Sequence, residues 1–248
     1  MTGNPLISVI TVTYNASHVI GKTLLSLQKQ KFHDFEHLVI DGASKDNTVE
    51  IIKELGVPET KIISEKDNGL YDAMNKGLRL ARGKYVLFLN AGDSLHNEDT
   101  LASYAAKCLK DADIIYGNTL IYDMEGKCIG PRHLSPPDTL NSDSFSNGML
   151  ICHQAFMVKK ALAPKYDLAY RFSSDYDWCI RCISSGDPKK FINLNQITID
   201  YLSDGLTDKN KITSLKERFR IMTKHYGLPK TIGRHIGFIF RALKRGSL

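Results

Sequence analysis

Long apolar runs are missing from this 248-residue chain, although 42% of its residues are hydrophobic. A bilayer span needs roughly 20 consecutive apolar residues, and no stretch reaches that length. Residues 1–5 also lack the basic segment and the apolar segment of a secretory signal. These absences predict a cytoplasmic protein, and the hydrophobic content predicts a sizeable core.

Cysteine is scarce. The chain has five, an odd number at scattered positions, which argues against a disulfide framework. Cys179 and Cys182 form a C-x-x-C pair inside a predicted helix, with no second pair or histidine cluster near them in the sequence. We therefore expect this pair to pack in the core rather than to bind metal or perform redox chemistry.

Glycine-rich phosphate loops are missing as well. The segment after the first predicted strand, Tyr14 to His18, does not contain G-x-G-x-x-G, and no G-x-x-x-x-G-K-[ST] occurs in the chain. These absences count against a nicotinamide-dependent dehydrogenase and against a P-loop nucleotide hydrolase. The chain also has no internal repeat and no low-complexity linker.

What the sequence does contain is an alternation of strands and helices. Helical patterns separate apolar runs of strand length at residues 6–14, 35–40, 61–64 and 85–89. This alternation predicts β-α-β units, and therefore an α/β fold with a mostly parallel sheet flanked by helices. We expect one domain over residues 1–208 and a basic amphipathic helical tail over residues 209–248.

Acidic residues follow three of these strands. Asp93 comes just after the central run, Asp41 follows the second strand, and Asp67 and Asp72 follow the third. Carboxyl ends of parallel strands meet at one sheet edge, where open α/β sheets bind ligands, although an isolated acid there can simply shape a turn. If the crevice at this edge holds an anionic diphosphate, a divalent cation is needed between the diphosphate and the carboxylates. Mg²⁺ or Mn²⁺ fits such oxygen ligands.

Five segments of the chain resemble the family 2 glycosyltransferases, whose fold is called GT-A. They are residues 8–15, 39–48, 65–77, 89–93 and 174–178, in the family's order. Each segment is a weak signal alone, but five in order are a strong one. The resemblance implies a GT-A fold and an inverting transfer of a sugar from a nucleoside-diphosphate sugar to a hydroxyl acceptor, in cell-surface polysaccharide biosynthesis.

The resemblance also implies which residues bind the donor. By position, Thr11, Tyr14 and Asp41 would hold the base and the ribose, with Asp41 accepting a hydrogen bond from a base N–H group. Lys66 and Asp72 would lie beside the nucleotide-sugar.

By the same resemblance, Asp93 would bind Mn²⁺ or Mg²⁺. The family's metal motif usually carries two or three acids, whereas Asn90 and Gly92 occupy the earlier positions here. Metal affinity is therefore expected to be lower, with the diphosphate supplying more of the coordination. His153 lies where related sequences carry a polar residue near the donor phosphates, and a satisfied core histidine is an equal alternative.

Asp175 would be the general base that takes the proton of the acceptor. Inversion requires a base on the face opposite the leaving diphosphate, and a metal neutralises the charge that builds up on that leaving group. In the family the base often follows a glutamate, but here it follows Ser174. Asp177 is the rival base, and we favour Asp175.

Two other functions stay open from the sequence. A sugar-phosphate nucleotidylyltransferase shares a nucleotide site at the sheet edge, although no glycine-rich loop followed by arginine occurs near the N-terminus. A non-catalytic nucleotide-sugar binding module is compatible with the reduced metal motif.

The tail suggests where the acceptor is found. Basic residues dominate residues 209–248, and Ile232, Ile236 and Phe238 are among the apolar residues between them. Such a helix can lie on an anionic membrane surface, which suits a lipid-linked saccharide acceptor at the inner face of the membrane. Packing on the domain or a dimer contact is the alternative. No nucleic-acid-binding motif is recognised.

Overall fold

The computed structural model describes residues 3–203 and 210–244. Within these residues one nine-stranded sheet runs through the protein. The elements of the first half are β1 (Ile7–Thr13), α1 (Ile20–Gln28), β2 (Phe35–Asp41), α2 (Thr48–Leu55), β3 (Thr60–Ser64), α3 (Leu70–Leu80) and β4 (Tyr85–Phe88).

The strands of the first half form the parallel part of the sheet, in the order β3-β2-β1-β4. All residues of β1 and β2 are buried, because helices cover both faces. Val39 of β2 packs with Ile20 of α1 and Ile52 of α2, whereas Ile10 of β1 meets Gly77 of α3. The predicted β-α-β units are therefore confirmed.

The second half extends this sheet with mixed pairing. Its elements are β5 (Ser94–Leu95), α4 (Thr100–Cys108), β6 (Ile114–Tyr122), β7 (Cys128–Pro131), β8 (Phe156–Lys159), α5 (Ser174–Ser185) and β9 (Phe191–Leu202). Strand β8 joins β4 and β6 through antiparallel pairing, and β6 pairs with β9 in parallel. The short β5 closes the far edge beside β9.

An aromatic cluster connects the two halves of the core. The Trp178 ring of α5 stacks on Tyr166 with centroids 5.0 Å apart and meets Phe88 of β4 edge-on at 5.8 Å. Tyr71 of α3 stacks on the other face of this group, 5.5 Å from Tyr166. The Trp178 indole N–H donates to the Pro164 carbonyl at 2.7 Å. These contacts fix the start of α5 relative to the end of β4.

The C-x-x-C pair packs as expected. Cys179 and Cys182 lie on α5 with no exposed surface, and both are free thiols. Burial raises the pKa of both thiols well above the usual range, so neither is a reactive thiolate.

Two further helices follow the sheet, α6 (Lys211–Tyr226) and α7 (Leu228–Lys244). Helix α6 packs on the main domain, with Ile221 and Met222 buried in the core. The predicted boundary between residues 208 and 209 lies outside the described residues, as do residues 245–248. No helix within residues 3–203 and 210–244 combines the length and hydropathy needed to cross a membrane.

Helix α7 packs on α6 and leaves part of its surface open. The His235 ring meets Phe219 of α6 with centroids 5.0 Å apart, and Thr231 is fully buried. Lys230 forms an ion pair with Asp143 of the main domain. Ile232 and Ile236 of α7 are exposed.

Packing of α3 on the sheet generates a stability prediction. A Cβ atom at Gly77 would lie 2.5 Å from Ile10 Cγ2, whereas one at Gly21 of α1 would lie 3.7 Å from Leu55 Cδ1. We expect Gly77→Ala to lower the free energy of unfolding by roughly 1–2 kcal/mol, because overpacking exceeds the gain in helix propensity.

Gly21→Ala is the matched control, and we expect it to raise stability by up to about 1 kcal/mol. Urea unfolding of both variants checks the pair. If both substitutions shift the midpoint in the same direction, the close approach of α3 to β1 is not what limits this position.

Candidate active site

Asp41 occupies the end of β2 with its carboxylate buried. Its Oδ2 accepts hydrogen bonds from the Ser44 backbone N–H at 3.0 Å and from the Ser64 hydroxyl at 2.6 Å, and its Oδ1 accepts from the Ser44 hydroxyl. The Ser44 hydroxyl in turn accepts from the backbone N–H of Asn15 at 2.8 Å. Asp41 thus joins the loops that follow β1, β2 and β3.

Thr11 lies beneath this edge rather than on it. Its side chain has no exposed surface, and its hydroxyl donates to the Leu89 carbonyl at 2.7 Å. It accepts from Nε2 of His37 at 3.0 Å, and His37 Nδ1 accepts from Thr60 at 3.0 Å. Burial lowers the pKa of His37 to about 3, so this imidazole is neutral. Thr11 therefore stabilises the strand ends through hydrogen bonds in the interior of the protein.

Thr13, two residues further along β1, is a polar group that the sequence analysis did not single out. It pairs in register with Asp41, and its hydroxyl is buried without a hydrogen-bond partner among the described residues. Because side chains alternate along a strand, Thr11 and Thr13 point to the same face. The sequence signal for this polar group was a threonine at the last position of a buried strand.

Tyr14 and Asp67 meet over Gly42. A Cβ atom at Gly42 would lie 2.7 Å from Asp67 Oδ2 and 3.3 Å from Tyr14 Cδ2, so only glycine lets these groups approach. The Tyr14 side chain is 60% exposed. Its ring is therefore open to a ligand at the edge formed by β1, β2 and β3.

Lys66 and Asp72 flank the same loop. Lys66 is exposed, and its carbonyl accepts from the Lys76 ammonium at 2.9 Å. Asp72, in the first turn of α3, accepts from the Asn68 backbone N–H at 3.0 Å, as a residue capping a helix start does. Neither side chain hydrogen-bonds to Asp93 or Asp175 in the part of the chain that the structure describes.

Asp93 lies almost entirely inside the protein, with 4% of its surface exposed. Its Oδ1 accepts from the Leu202 N–H of β9 at 2.9 Å, and its Oδ2 accepts from Gln154 Nε2 at 2.7 Å. Gly92, with φ of 96°, turns the chain so that Asp93 faces inward. Burial raises the pKa of Asp93 to about 6, although both hydrogen bonds act in the opposite direction.

Asn90 adds a second oxygen at this turn. Its Oδ1 is buried and has no hydrogen-bond partner among the described residues. No group of three or more histidine, cysteine, aspartate or glutamate side chains in residues 3–203 and 210–244 could hold a metal. One carboxylate and one unpaired amide oxygen fit a Mg²⁺ or Mn²⁺ ion that completes its coordination with water and phosphate oxygens.

His153 connects this turn to Asp175. Asn90 Nδ2 lies 3.2 Å from His153 Nε2, and His153 Nδ1 lies 3.3 Å from Asp175 Oδ2. Because Nε2 accepts a hydrogen bond from the Asn90 amide, the proton of the neutral imidazole is assigned to Nδ1. His153 is 8% exposed, as a core histidine would be, yet both ring nitrogens face groups of the site.

Asp175, in the first turn of α5, remains 19% exposed at its side chain. The Tyr71 hydroxyl donates to its Oδ1 at 3.1 Å. Burial would raise the pKa of Asp175, but the interaction with His153 and the charge of Arg218 lower it more, so the pKa lies below its usual range. The carboxylate is thus ionised at neutral pH and faces solvent, which a proton acceptor requires.

Asp177 has a different environment. It is fully buried and contacts Arg181 Nε at 2.6 Å, His225 Nε2 at 2.8 Å and Lys224 Nζ at 3.4 Å. Burial would raise the pKa of Asp177, but these partners lower it to about 2. Because its carboxylate has no exposed surface, Asp177 holds α5 and α6 together.

A cavity of about 190 Å³ adjoins this network. Cys152, which precedes His153, lines it, and its thiol donates to the Gln154 amide oxygen. The Thr119 hydroxyl on the cavity wall is buried without a partner among the described residues, and Arg132 lies beside it.

Comparisons with known sequences identify the family of the chain. Residues 8–164 match the family model described as Glycosyl transferase family 2. A "PGL/p-HBAD biosynthesis glycosyltransferase" of Mycobacterium bovis is 36% identical over 189 residues, which cover 73% of this chain and 71% of the relative. An uncharacterised glycosyltransferase of Mycobacterium tuberculosis is 27% identical over 197 residues, covering 76% and 72%.

Solved structures show the same fold. Staphylococcus aureus TarS 1–349 in complex with UDP-GlcNAc has a TM-score of 0.67 and 18% identity, covering 94% of this chain and 73% of that one. The mannosyltransferase PcManGT of Pyrobaculum calidifontis, in complex with GDP-Man and Mn²⁺, has a TM-score of 0.63 and 16% identity, covering 100% and 77%. The predicted GT-A fold is confirmed.

Proposed function

The chain belongs to glycosyl transferase family 2, and from that premise we propose that it is an inverting transferase. It moves a sugar from a nucleoside-diphosphate sugar to a hydroxyl acceptor during synthesis of a cell-surface glycan. One observation carries the proposal: an unbroken line of contacts runs from Asn90 through His153 to Asp175. This line joins an oxygen-rich turn suited to a metal with an ionised, solvent-facing carboxylate suited to be a base.

The donor base and ribose would bind at the edge formed by β1, β2 and β3. The exposed Tyr14 ring offers a stacking surface there. The Asp41 carboxylate accepts three hydrogen bonds, and a carboxylate has about four acceptor sites, so one is left for a base N–H group. Thr11 would support these strand ends through its buried hydrogen bonds, and Lys66 and Asp72 would lie beside the nucleotide-sugar.

Asp93 and Asn90 would hold a divalent cation against the diphosphate. Such an ion neutralises the negative charge that develops on the leaving group as the glycosidic bond breaks. Gln154 and the Leu202 N–H keep the Asp93 carboxylate in one orientation. The complexes of related folds with UDP-GlcNAc and with GDP-Man and Mn²⁺ support a nucleotide-sugar donor and a metal.

Asp175 would take the proton of the acceptor hydroxyl while that hydroxyl attacks the anomeric carbon. The Tyr71 hydroxyl donates to one oxygen of its carboxylate and His153 Nδ1 lies 3.3 Å from the other, which restricts the orientation of that carboxylate.

The acceptor would be carried on a lipid at the cytoplasmic face of a membrane. Residues 210–244 contain nine lysines and arginines and a single acid, Glu217. Among these charges Ile212, Leu215, Ile232 and Ile236 are 72%, 59%, 46% and 50% exposed. Each basic residue near an anionic bilayer adds roughly 1 kcal/mol of attraction, and exposed isoleucine and leucine can enter its interface.

The base assignment is tested by two neighbouring variants. We expect Asp175→Asn to fold and to bind nucleoside diphosphate, but to lower turnover by about 10²–10⁴-fold, the usual loss for a general base. Asp177→Asn should instead lower stability by about 3–5 kcal/mol, because Arg181 and Lys224 lose a buried counter-charge and His225 loses a partner. Steady-state kinetics and urea unfolding separate them, and a larger loss of turnover in folded Asp177→Asn would transfer the role to Asp177.

The metal assignment is tested by binding of nucleoside diphosphate with Mn²⁺. We expect Asp93→Ala to abolish the metal-dependent part of the affinity and Asn90→Ala to weaken it, while a nucleoside without phosphates binds as before. Since the pKa of Asp93 is about 6, protons should compete with the metal below that pH. Full diphosphate affinity in EDTA would refute the metal role.

The membrane contact is tested with the double variant Ile232→Ser/Ile236→Ser. We expect the natural protein to sediment with anionic vesicles at low salt and to be released at high salt, and the double variant to bind less. Ile129→Ser on β7 is the matched control, because Ile129 is 61% exposed but distant in sequence from these helices. If the natural protein does not bind anionic vesicles at low salt, the exposed face that carries Ile232 and Ile236 has another role.

A further inference from the structure

Helix α6 holds the start of α5, which carries Asp175. The Glu217 carboxylate accepts the backbone N–H groups of Arg171 and Phe172 at 2.8 and 2.9 Å. One turn earlier, the Ser214 hydroxyl lies 2.9 Å from the Ser173 hydroxyl. Glu217 is 7% exposed and Ser214 is 3% exposed, so this face of α6 packs closely on the segment that precedes Asp175.

Arg218 lies on the same face, four residues after Ser214 and next to Glu217. Because Ser214 contacts Ser173 and Arg218 is one helical turn further on the same face, Arg218 lies beside the start of α5. Its charge also lowers the pKa of Asp175. Its Nε is buried without a hydrogen-bond partner, and among residues 3–203 and 210–244 it forms no ion pair. The adjacent carboxylate of Glu217 is already occupied by two backbone N–H groups.

A buried guanidinium N–H without a partner is costly, and it is satisfied best by an oxyanion. Phosphate and carboxylate both match the planar fork of arginine, which can donate two parallel hydrogen bonds to them. A neutral sugar hydroxyl can accept only a single hydrogen bond from this fork and carries no charge to pair with it.

We propose that Arg218 forms an anion subsite next to Asp175 and binds a phosphate or carboxylate group of the acceptor. The inference rests on the proposed function, since it places the anion on the acceptor that Asp175 deprotonates. The acceptor is then an anionic molecule whose charged group lies close to the hydroxyl that receives the sugar. The positive charge of α6 and α7 favours its approach from the same side.

The test uses the full chain with Mg²⁺ and a saturating nucleoside diphosphate, so that the donor site is filled. Calorimetric titrations compare glycerol 1-phosphate, glucuronate and neutral glucose. We expect one of the two anions to bind, glucose to bind far more weakly, and Arg218→Gln to lose about tenfold or more in affinity for that anion. The preferred anion identifies the acceptor group as phosphate or carboxylate.

Arg220→Gln is the matched control, because Arg220 is exposed on the same helix, and its anion affinity should equal that of the natural protein. Arg218→Lys keeps the charge but not the fork, so it should bind the anion with intermediate affinity, and it decides the question if Arg218→Gln does not fold.

Equal anion affinity in the natural protein and a folded Arg218 variant overturns the inference. So does the absence of anion binding in a natural protein that binds nucleoside diphosphate and hydrolyses donor, and in that case the proposed function stands. A natural protein that neither binds nor hydrolyses donor would instead refute the proposed function itself.

Discussion

The aromatic stack between α5 and β4 is the constraint on which the site depends. Asp93 follows β4 and Asp175 begins α5, so the distance between them is set by how Trp178 packs on Phe88 and Tyr166. Aromatic pairs of this kind contribute about 0.5–1.5 kcal/mol each beyond their burial, and they pack in few geometries. The stack thereby brings the segments that carry Asp93 and Asp175, which are distant in the sequence, together in one site.

Burial acts to raise the pKa of both carboxylates of that site, but their neighbours make the net shifts opposite. Asp93 has neutral hydrogen-bond donors around it, and its pKa is raised to about 6. Asp175 has His153 and Arg218 nearby, and its pKa is lowered. Environments that separate two acids in this way mark different chemical roles. This difference agrees with the proposed roles, in which Asp93 would hold a cation and the ionised Asp175 would accept a substrate proton.

The sequence was informative where local patterns determine structure. Buried strands show as apolar runs, so the positions of Asp41 and Asp93 at strand ends could be read directly. Contacts between residues far apart in the chain could not: Tyr71 and Asp175 are 104 residues apart, and Gln154 and Asp93 are 61 apart. An amphipathic pattern also cannot tell a protein surface from a membrane surface, so the packing of α6 on the domain was only one of the alternatives that the sequence allowed.

The buried contacts of Asp177 with Arg181, Lys224 and His225 limit how segments of this enzyme could be exchanged with those of its relatives. A chimera that exchanged α6 and α7 to change acceptor choice would most simply be joined in residues 204–209. That junction separates Asp177 from Lys224 and His225, and a foreign helix without equivalent partners would leave the buried carboxylate partly uncompensated. The exchangeable unit therefore begins before α5, and it includes Asp175 together with α5, α6 and α7.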